Sequence, residues 1–110
     1  MRERILLEIK KMIAEAVERE IPKLLDARDY KAVKDDCELV INLMMDYFSD
    51  RLVSDPHTGS SRYYYEFLKV LGKIASSEAD NAKNASLVFR CLNAFYGDVF
   101  LLIPKPAQGK

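Results

Sequence analysis

A wide apolar face between Asp29 and Pro56 constrains the fold of this chain more than any other feature of its sequence. Apolar residues recur there at intervals of three and four, which predicts a helix. The members of this face are Val33, Cys37, Val40, Met44, Tyr47 or Phe48, and Leu52, with Ile41, Leu43 and Met45 beside them. So broad an apolar arc belongs to a central, deeply buried helix. We expect Asp29 or a neighbour to cap it and Asp55–Pro56 to end it, because proline cannot donate a helical hydrogen bond.

The N-terminal segment predicts an amphipathic helix from about Arg2 to Glu20. Its apolar positions are Ile5, Leu6, Ile9, Met12, Ile13, Ala16 and Val17. Some of these positions also fit a short dimer seam, but we interpret the pattern as core packing. Pro22 biases the preceding residue away from helical dihedrals, so a kink or a short extra helix over residues 23–26 is expected near it. The sequence does not decide between the two.

Two further helices are predicted after a loop at residues 57–61. The third begins with a cap at Ser60 or Ser61, and its inner face consists of Tyr64, Phe67, Leu68, Leu71, Ile74 and Ala75. The fourth begins with a cap at Ser76 or Ser77 and ends at Gly97, and its inner face consists of Ala82, Ala85, Phe89, Leu92 and Tyr96. One fused helix with a bend at the two serines is the alternative.

Five consecutive apolar residues, Val99 to Ile103, follow the last predicted helix. Their local pattern is that of a buried strand, yet the chain offers no second strand to pair with it. The run must therefore lie along the helices, continue the fourth helix, or pair with another copy of the chain. We predict an all-α, four-helix bundle-like single domain over residues 1–104, followed by a flexible tail over 105–110.

The charge balance disfavours a general nucleic-acid binder. The chain has 17 Lys and Arg against 17 Asp and Glu, whereas affinity for nucleic acid comes largely from clustered basic side chains. No apolar stretch approaches the roughly 20 residues that span a bilayer. Cys37 and Cys91 have no zinc-site spacing and no secretory signal precedes them, so we expect buried thiols in a reduced, cytoplasmic protein.

Arg51 lies six residues before His57, the only histidine. This spacing resembles the arginine and histidine signature of the HEPN ribonucleases, which are small all-helical proteins. The resemblance covers two residues and implies a dimer that cuts RNA by metal-independent acid–base chemistry. In that family the pair lies on a helix, whereas Pro56 predicts a loop at His57. We therefore interpret His57 as a loop residue and keep the ribonuclease as an alternative function.

Asn42, Asp46 and Asp50 repeat every four residues and could present paired carboxylates to a divalent cation. A single acidic line lacks the second acidic helix of di-metal bundles. We interpret it as the solvated side of the central helix and predict neither metal nor cofactor.

The candidate interface comprises Tyr63, Tyr64, Tyr65, Val99, Phe100 and Leu101. Consecutive residues of a helix spread around its axis, so at least one of the three tyrosines should be exposed, and tyrosine is favoured at protein interfaces. With no assembled catalytic set, we predict a protein–protein interaction module without catalysis, either a homo-oligomer or a small subunit of a larger complex. A helical subunit that associates with nucleic acid through scattered basic residues is a second alternative.

Overall fold

The computed structural model of the chain describes residues 2–54, 59–77 and 82–102, and within them the fold is all-α with no strand. Its elements are α1 (Arg2–Glu15), a π-helical turn (Ala16–Glu20), α2 (Ile21–Asp26), α3 (Tyr30–Ser54), α4 (Gly59–Ser77), α5 (Ala82–Asp98) and a 3-10 turn (Phe100–Leu102). The molecule measures 44 × 23 × 21 Å, and its long dimension reflects α3, whose 25 residues span about 37 Å. The predicted four-helix bundle-like fold is confirmed, with α1, the π turn and α2 forming one continuous segment. The predicted tail lies outside the described residues.

The α3 helix is the centre of the fold, as predicted. Six residues of its apolar face are at most 1% exposed: Val33, Cys37, Val40, Met44, Tyr47 and Phe48. The α1–π–α2 segment, α4 and α5 all pack against it. At its N-terminus the amide of Ala32 donates to Oδ1 of Asp29 at 3.3 Å, which confirms the predicted cap. The described part of α3 reaches Ser54, and the predicted end at Asp55–Pro56 lies outside the described residues.

Pro22 neither breaks nor ends the first helical segment. The π turn precedes it, and the amide of Ile21 donates to the carbonyl of Ala16, five residues back. This wider turn accommodates a proline, whose ring would clash with the carbonyl four residues earlier in a regular α-helix. Relative to a regular α-helix of the same sequence, the extra residue in this turn rotates every later residue by about 100°. Ile21 therefore lies on the core side, with 0% exposure. The short extra helix predicted near Pro22 is α2.

A Schellman motif ends α2 and turns the chain toward α3. The amide of Asp29 donates to the carbonyl of Leu24, and that of Arg28 to Leu25, both at 3.0 Å. Arg28 has a φ of 59°, in the left-handed region where glycine is usual. The side chain of Arg28 is exposed. The two backbone hydrogen bonds offset the conformational cost of the left-handed φ.

The first helix buries the face expected for core packing. Leu6, Ile13, Ala16 and Val17 are at most 9% exposed, so the residues that also fit a dimer seam lie mainly in the core of the chain. Ile5 and Met12, predicted as part of the apolar face, are instead 59% and 50% exposed. They lie at the edge of the apolar arc, where the side chains reach solvent.

The α4 and α5 helices form an antiparallel hairpin. The rings of Phe67 and Phe95 stack with centroids 5.2 Å apart, whereas in one fused helix they would be separated by about 42 Å. The fused alternative is therefore wrong. The cap predicted at Ser60 or Ser61 is also wrong, because α4 already includes Gly59 before them. Ser76 lies inside α4, where its hydroxyl donates to the carbonyls of Gly72 and Lys73, and the residues just before α5 lie outside the described part of the chain.

The inner faces of the hairpin differ in part from the prediction. On α4, Leu68, Leu71 and Ala75 are buried, but Phe67 and Ile74 are 37% and 49% exposed. On α5, Val88 and Phe95 join Ala85, Leu92 and Tyr96 in the core, and Phe89 is half-buried. Apolar residues occupy two sides of α4, so helical periodicity alone does not select which side faces α3 and α5.

The C-terminal run forms a turn and not a strand. The α5 helix continues one residue past Gly97, Val99 donates its amide to the carbonyl of Phe95, and a 3-10 turn follows. Without a partner strand, the backbone satisfies its hydrogen bonds locally. We expected the run to lie along the helices, to continue the last helix or to pair with another copy of the chain. Residues 99–102 combine the first two of these outcomes.

An aromatic cluster joins this turn to the core. The ring of Phe48 lies 5.4 to 6.1 Å, centroid to centroid, from rings of α3, α4, α5 and the 3-10 turn, namely Tyr47, Tyr64, Phe95 and Phe100. Most of these pairs are edge-to-face, the geometry that the ring quadrupole favours. Phe48 is thus the side chain on which the helices converge.

We expect Phe48→Ala to lower the free energy of unfolding by about 3–5 kcal/mol, through lost burial and a cavity. Tyr63→Ala is the control, since Tyr63 is 69% exposed, and it should cost at most about 1 kcal/mol. Urea unfolding followed by circular dichroism measures both. Similar costs for the two variants would contradict the described packing.

Candidate protein interface

A row of four large apolar side chains lies exposed along α4. Tyr63, Phe67, Val70 and Ile74 are 69%, 37%, 57% and 49% exposed, and their spacing of four, three and four residues places them on one face. We call this row the α4 stripe. It offers on the order of 400 Å² of apolar surface, comparable with the largest patch of a typical monomer, which is often functional.

The stripe exists because α4 is apolar on two sides. Tyr64, Leu68, Leu71 and Ala75 form the side that packs inward, and the α4 stripe is rotated from it by about 100° around the helix. The α5 helix covers only the border between the two sides, where Phe67 stacks on Phe95. At the edge of the inward side that is remote from the stripe, Gly72 approaches α3 so closely that a Cβ there would lie 3.4 Å from Ile41. Apart from Phe67, the stripe faces away from both neighbours.

Charged residues follow the stripe along its open border. Glu66 and Lys73, both exposed, are each one position before an apolar member of the stripe. Arg62 and Lys69 lie further around the helix and are also exposed. An apolar centre with a charged rim is the usual composition of a protein interface.

A second apolar surface lies between α1 and α3. Met12 and Leu39, each 50% exposed, line an open groove of about 350 Å³ with Leu43. Ile5, two helical turns before Met12, is 59% exposed. This surface is smaller and more scattered than the α4 stripe.

The three tyrosines of the predicted interface separate from one another. Tyr63 is exposed, which confirms that at least one of the three reaches solvent. Tyr64 packs against Phe48 and Phe95 with ring centroids 5.4 and 5.7 Å away, so it belongs to the edge of the core. Tyr65 is half-buried. Only Tyr63 of these lies on the α4 stripe.

The three C-terminal residues of the predicted interface also differ in burial. Phe100 is 1% exposed, Val99 is half-buried and Leu101 is 54% exposed. Phe100 and Leu101 line an open groove of about 330 Å³ against α1, where the ammonium of Lys10 lies 5.2 Å from the centre of the Phe100 ring. Phe100 therefore covers the core of its own chain, and Leu101 faces solvent.

A hydrogen bond ties the first helical segment to α5. The hydroxyl of Tyr96 donates to a carboxylate oxygen of Glu18, in the π turn. Burial raises the pKa of Tyr96, and the bond to Glu18 raises it further, so the phenol stays protonated and remains a donor. The rings of Tyr96 and Phe100 stack with centroids 6.1 Å apart, which places this bond beside the C-terminal turn.

The two thiols occupy contrasting environments. Cys37 is buried in α3, and burial, followed by the carboxylates of Asp36 and Glu38, raises its pKa to about 12. Cys91 is exposed on α5, so the expectation of a buried thiol was wrong at that position. Its apolar neighbours in the sequence, Leu92 and Phe95, point inward while Cys91 points outward.

The residues proposed for chemistry lie only partly within the described residues, and the pairing of Arg51 with His57 stays a prediction. Arg51 falls in the last turn of α3, while His57 lies outside the described residues. Asn42 and Asp46 are exposed on α3. Among the described side chains, no group of three or more His, Cys, Asp or Glu residues is arranged to hold a metal ion.

The α4 stripe does not follow from the predicted inner face of α4, which includes Phe67 and Ile74 and omits Val70. The available signal was the second set of apolar residues at spacings of four, three and four, offset from the first set on the same helix.

Comparison with known proteins gives no relative: no protein-family model, curated protein or solved structure matches this chain. None of the helices in the described residues has both the length and the apolar character needed to cross a membrane.

We expect Phe100→Asp to destabilise the protein by about 3 kcal/mol or more, because it places a carboxylate against a cluster of rings. Leu101→Asp is the matched control and should change stability by less than about 0.5 kcal/mol, since Leu101 is exposed. The difference in melting temperature between the Phe100 variant and the original chain should not depend on protein concentration. Equal effects of the two substitutions would contradict the placement of the C-terminal turn.

In the native protein we expect iodoacetamide at pH 8 to modify Cys91 and leave Cys37 unmodified, because the Cys37 thiol is buried and remains protonated. Both should react after unfolding in guanidinium. Mass spectrometry of peptides measures each site. Comparable native modification of the two thiols would show that α3 is less well covered than described.

Proposed function

We propose that this protein is a small helical protein–protein interaction module that works as a homo-oligomer or as a small subunit of a larger complex, with no catalysis of its own. The observation that carries this proposal is the α4 stripe. Four large apolar side chains on one face of a well-packed helix lose favourable burial in water, and a partner protein would restore it.

Further features support the proposal. Tyrosine and phenylalanine in the stripe supply large contact areas, and the adjacent rim is charged. Leu101 and the groove beside it, and the surface around Met12 and Leu39, provide additional sites where a larger assembly could contact the same chain. The exposed thiol of Cys91 fits a reducing compartment, and we include the cytoplasm in the proposal on that ground.

Site-specific photo-crosslinking tests the proposal. A benzophenone amino acid replaces Tyr63, within the stripe, and in the control protein it replaces Lys69, on a different side of the same helix. We expect discrete protein adducts from position 63 in cells that produce the protein, and none from position 69. Absence of adducts at position 63, together with a constant mass of 12.6 kDa in solution at all concentrations, would refute the proposal.

A further inference from the structure

We propose that the α4 stripe binds the α4 stripe of a second copy of this chain in an antiparallel arrangement, with Glu66 of each copy facing Lys73 of the other. This inference rests on the proposed function, because it names the partner and the geometry of the same surface. It follows from the order of charges along the border of the stripe.

The spacing of the stripe is that of a helix–helix seam. Residues 63, 67, 70 and 74 alternate steps of four and three, the pattern of the two apolar positions in a heptad repeat. When two such seams pair antiparallel, Phe67 faces Val70 of the second copy and Tyr63 faces Ile74. The four layers are then related by a two-fold axis, as expected for an interface between identical chains.

The charges match only in this orientation. In the antiparallel pair, Glu66 and Lys73 of the second copy fall on the same side of the seam, with their Cα atoms offset by about 3 Å along the axis. The two-fold axis repeats the pair, so each dimer gains two complementary contacts. In a parallel pair Glu66 would instead face Leu71 of the second copy, which is buried against its own chain.

The other flank of the stripe explains why one border alone carries the charges. Tyr64 and Leu71 occupy the equivalent flanking positions on that side, and both belong to the packing of α4 against its own chain. The α5 helix lies along that flank, where Phe95 contacts both Tyr64 and Phe67. The border with Glu66 and Lys73 is exposed.

The area predicts a weak dimer. A standard interface contributes about 800 Å² per partner, and the stripe supplies on the order of half of that. The association should therefore require high protein concentration, and sedimentation velocity across a wide concentration range is the suitable measurement.

Charge exchange tests the pairing. E66K and K73E each create two like-charge contacts, and each should weaken the dimer by roughly ten-fold at low ionic strength, with a smaller effect in high salt. The double variant E66K/K73E restores both contacts and should dimerise like the original chain. An equimolar mixture of the two single variants should form mixed dimers.

Val70→Glu is the test of the apolar seam, and Leu39→Glu is its control, since the two side chains are 57% and 50% exposed on different helices. The first should weaken dimerisation by about a hundred-fold or more, and the second should leave it unchanged. Thermal melting of each variant verifies that it is folded.

Three results would overturn the inference. A chain that stays monomeric at every concentration has no such dimer, although photo-crosslinking to another protein would leave the proposed function standing. A dimer that Val70→Glu does not weaken uses another surface. A double charge variant that stays as weak as the single variants excludes the antiparallel register.

Discussion

The need to cover α3 on all sides of its apolar face determines the arrangement of every other element. Phe48 contacts rings from α4, α5 and the C-terminal turn, while the α1–π–α2 segment packs against the same helix. No single neighbour could bury so wide a face. A chain of 110 residues has little surplus core, so each covering element contributes a part that the others do not replace.

The arrangement leaves α4 with more apolar surface than the monomer uses. One side of α4 fits between α3 and α5, and the close approach at Gly72 fixes its distance from α3. The α4 stripe is then directed outward by the same packing that buries Leu68 and Leu71. Its position is thus a consequence of a rigid part of the fold, which is a favourable foundation for a binding surface.

The sequence predicted α3 well because its periodic face is long and because Asp29 and Pro56 mark its ends. The inner face of α4 was predicted less well, since apolar residues occupy both sides and only contact with α5 selects one. The conformation of the C-terminal run was ambiguous, because five adjacent apolar residues fit a strand, a helix or a turn equally. The lack of a second predicted strand disfavoured a strand but did not distinguish a helix from a turn. Of the candidate interface, the exposure of one tyrosine followed from helical geometry, but the joint exposure of Tyr63 and Val70 depends on which side of α4 packs inward.

The π turn accommodates one additional residue inside the continuous N-terminal helical segment. It holds one residue beyond the α-helical path, so α2 keeps the orientation that it would have in a regular helix one residue shorter. Removing one of residues 18 to 20 would return the segment to regular α-helix and leave Ile21 on the core side, because the wide turn already holds its extra residue outside the α-helical register. Homologous chains that are one residue shorter at this point should therefore have a regular α-helix here and keep the same apolar pattern in α2.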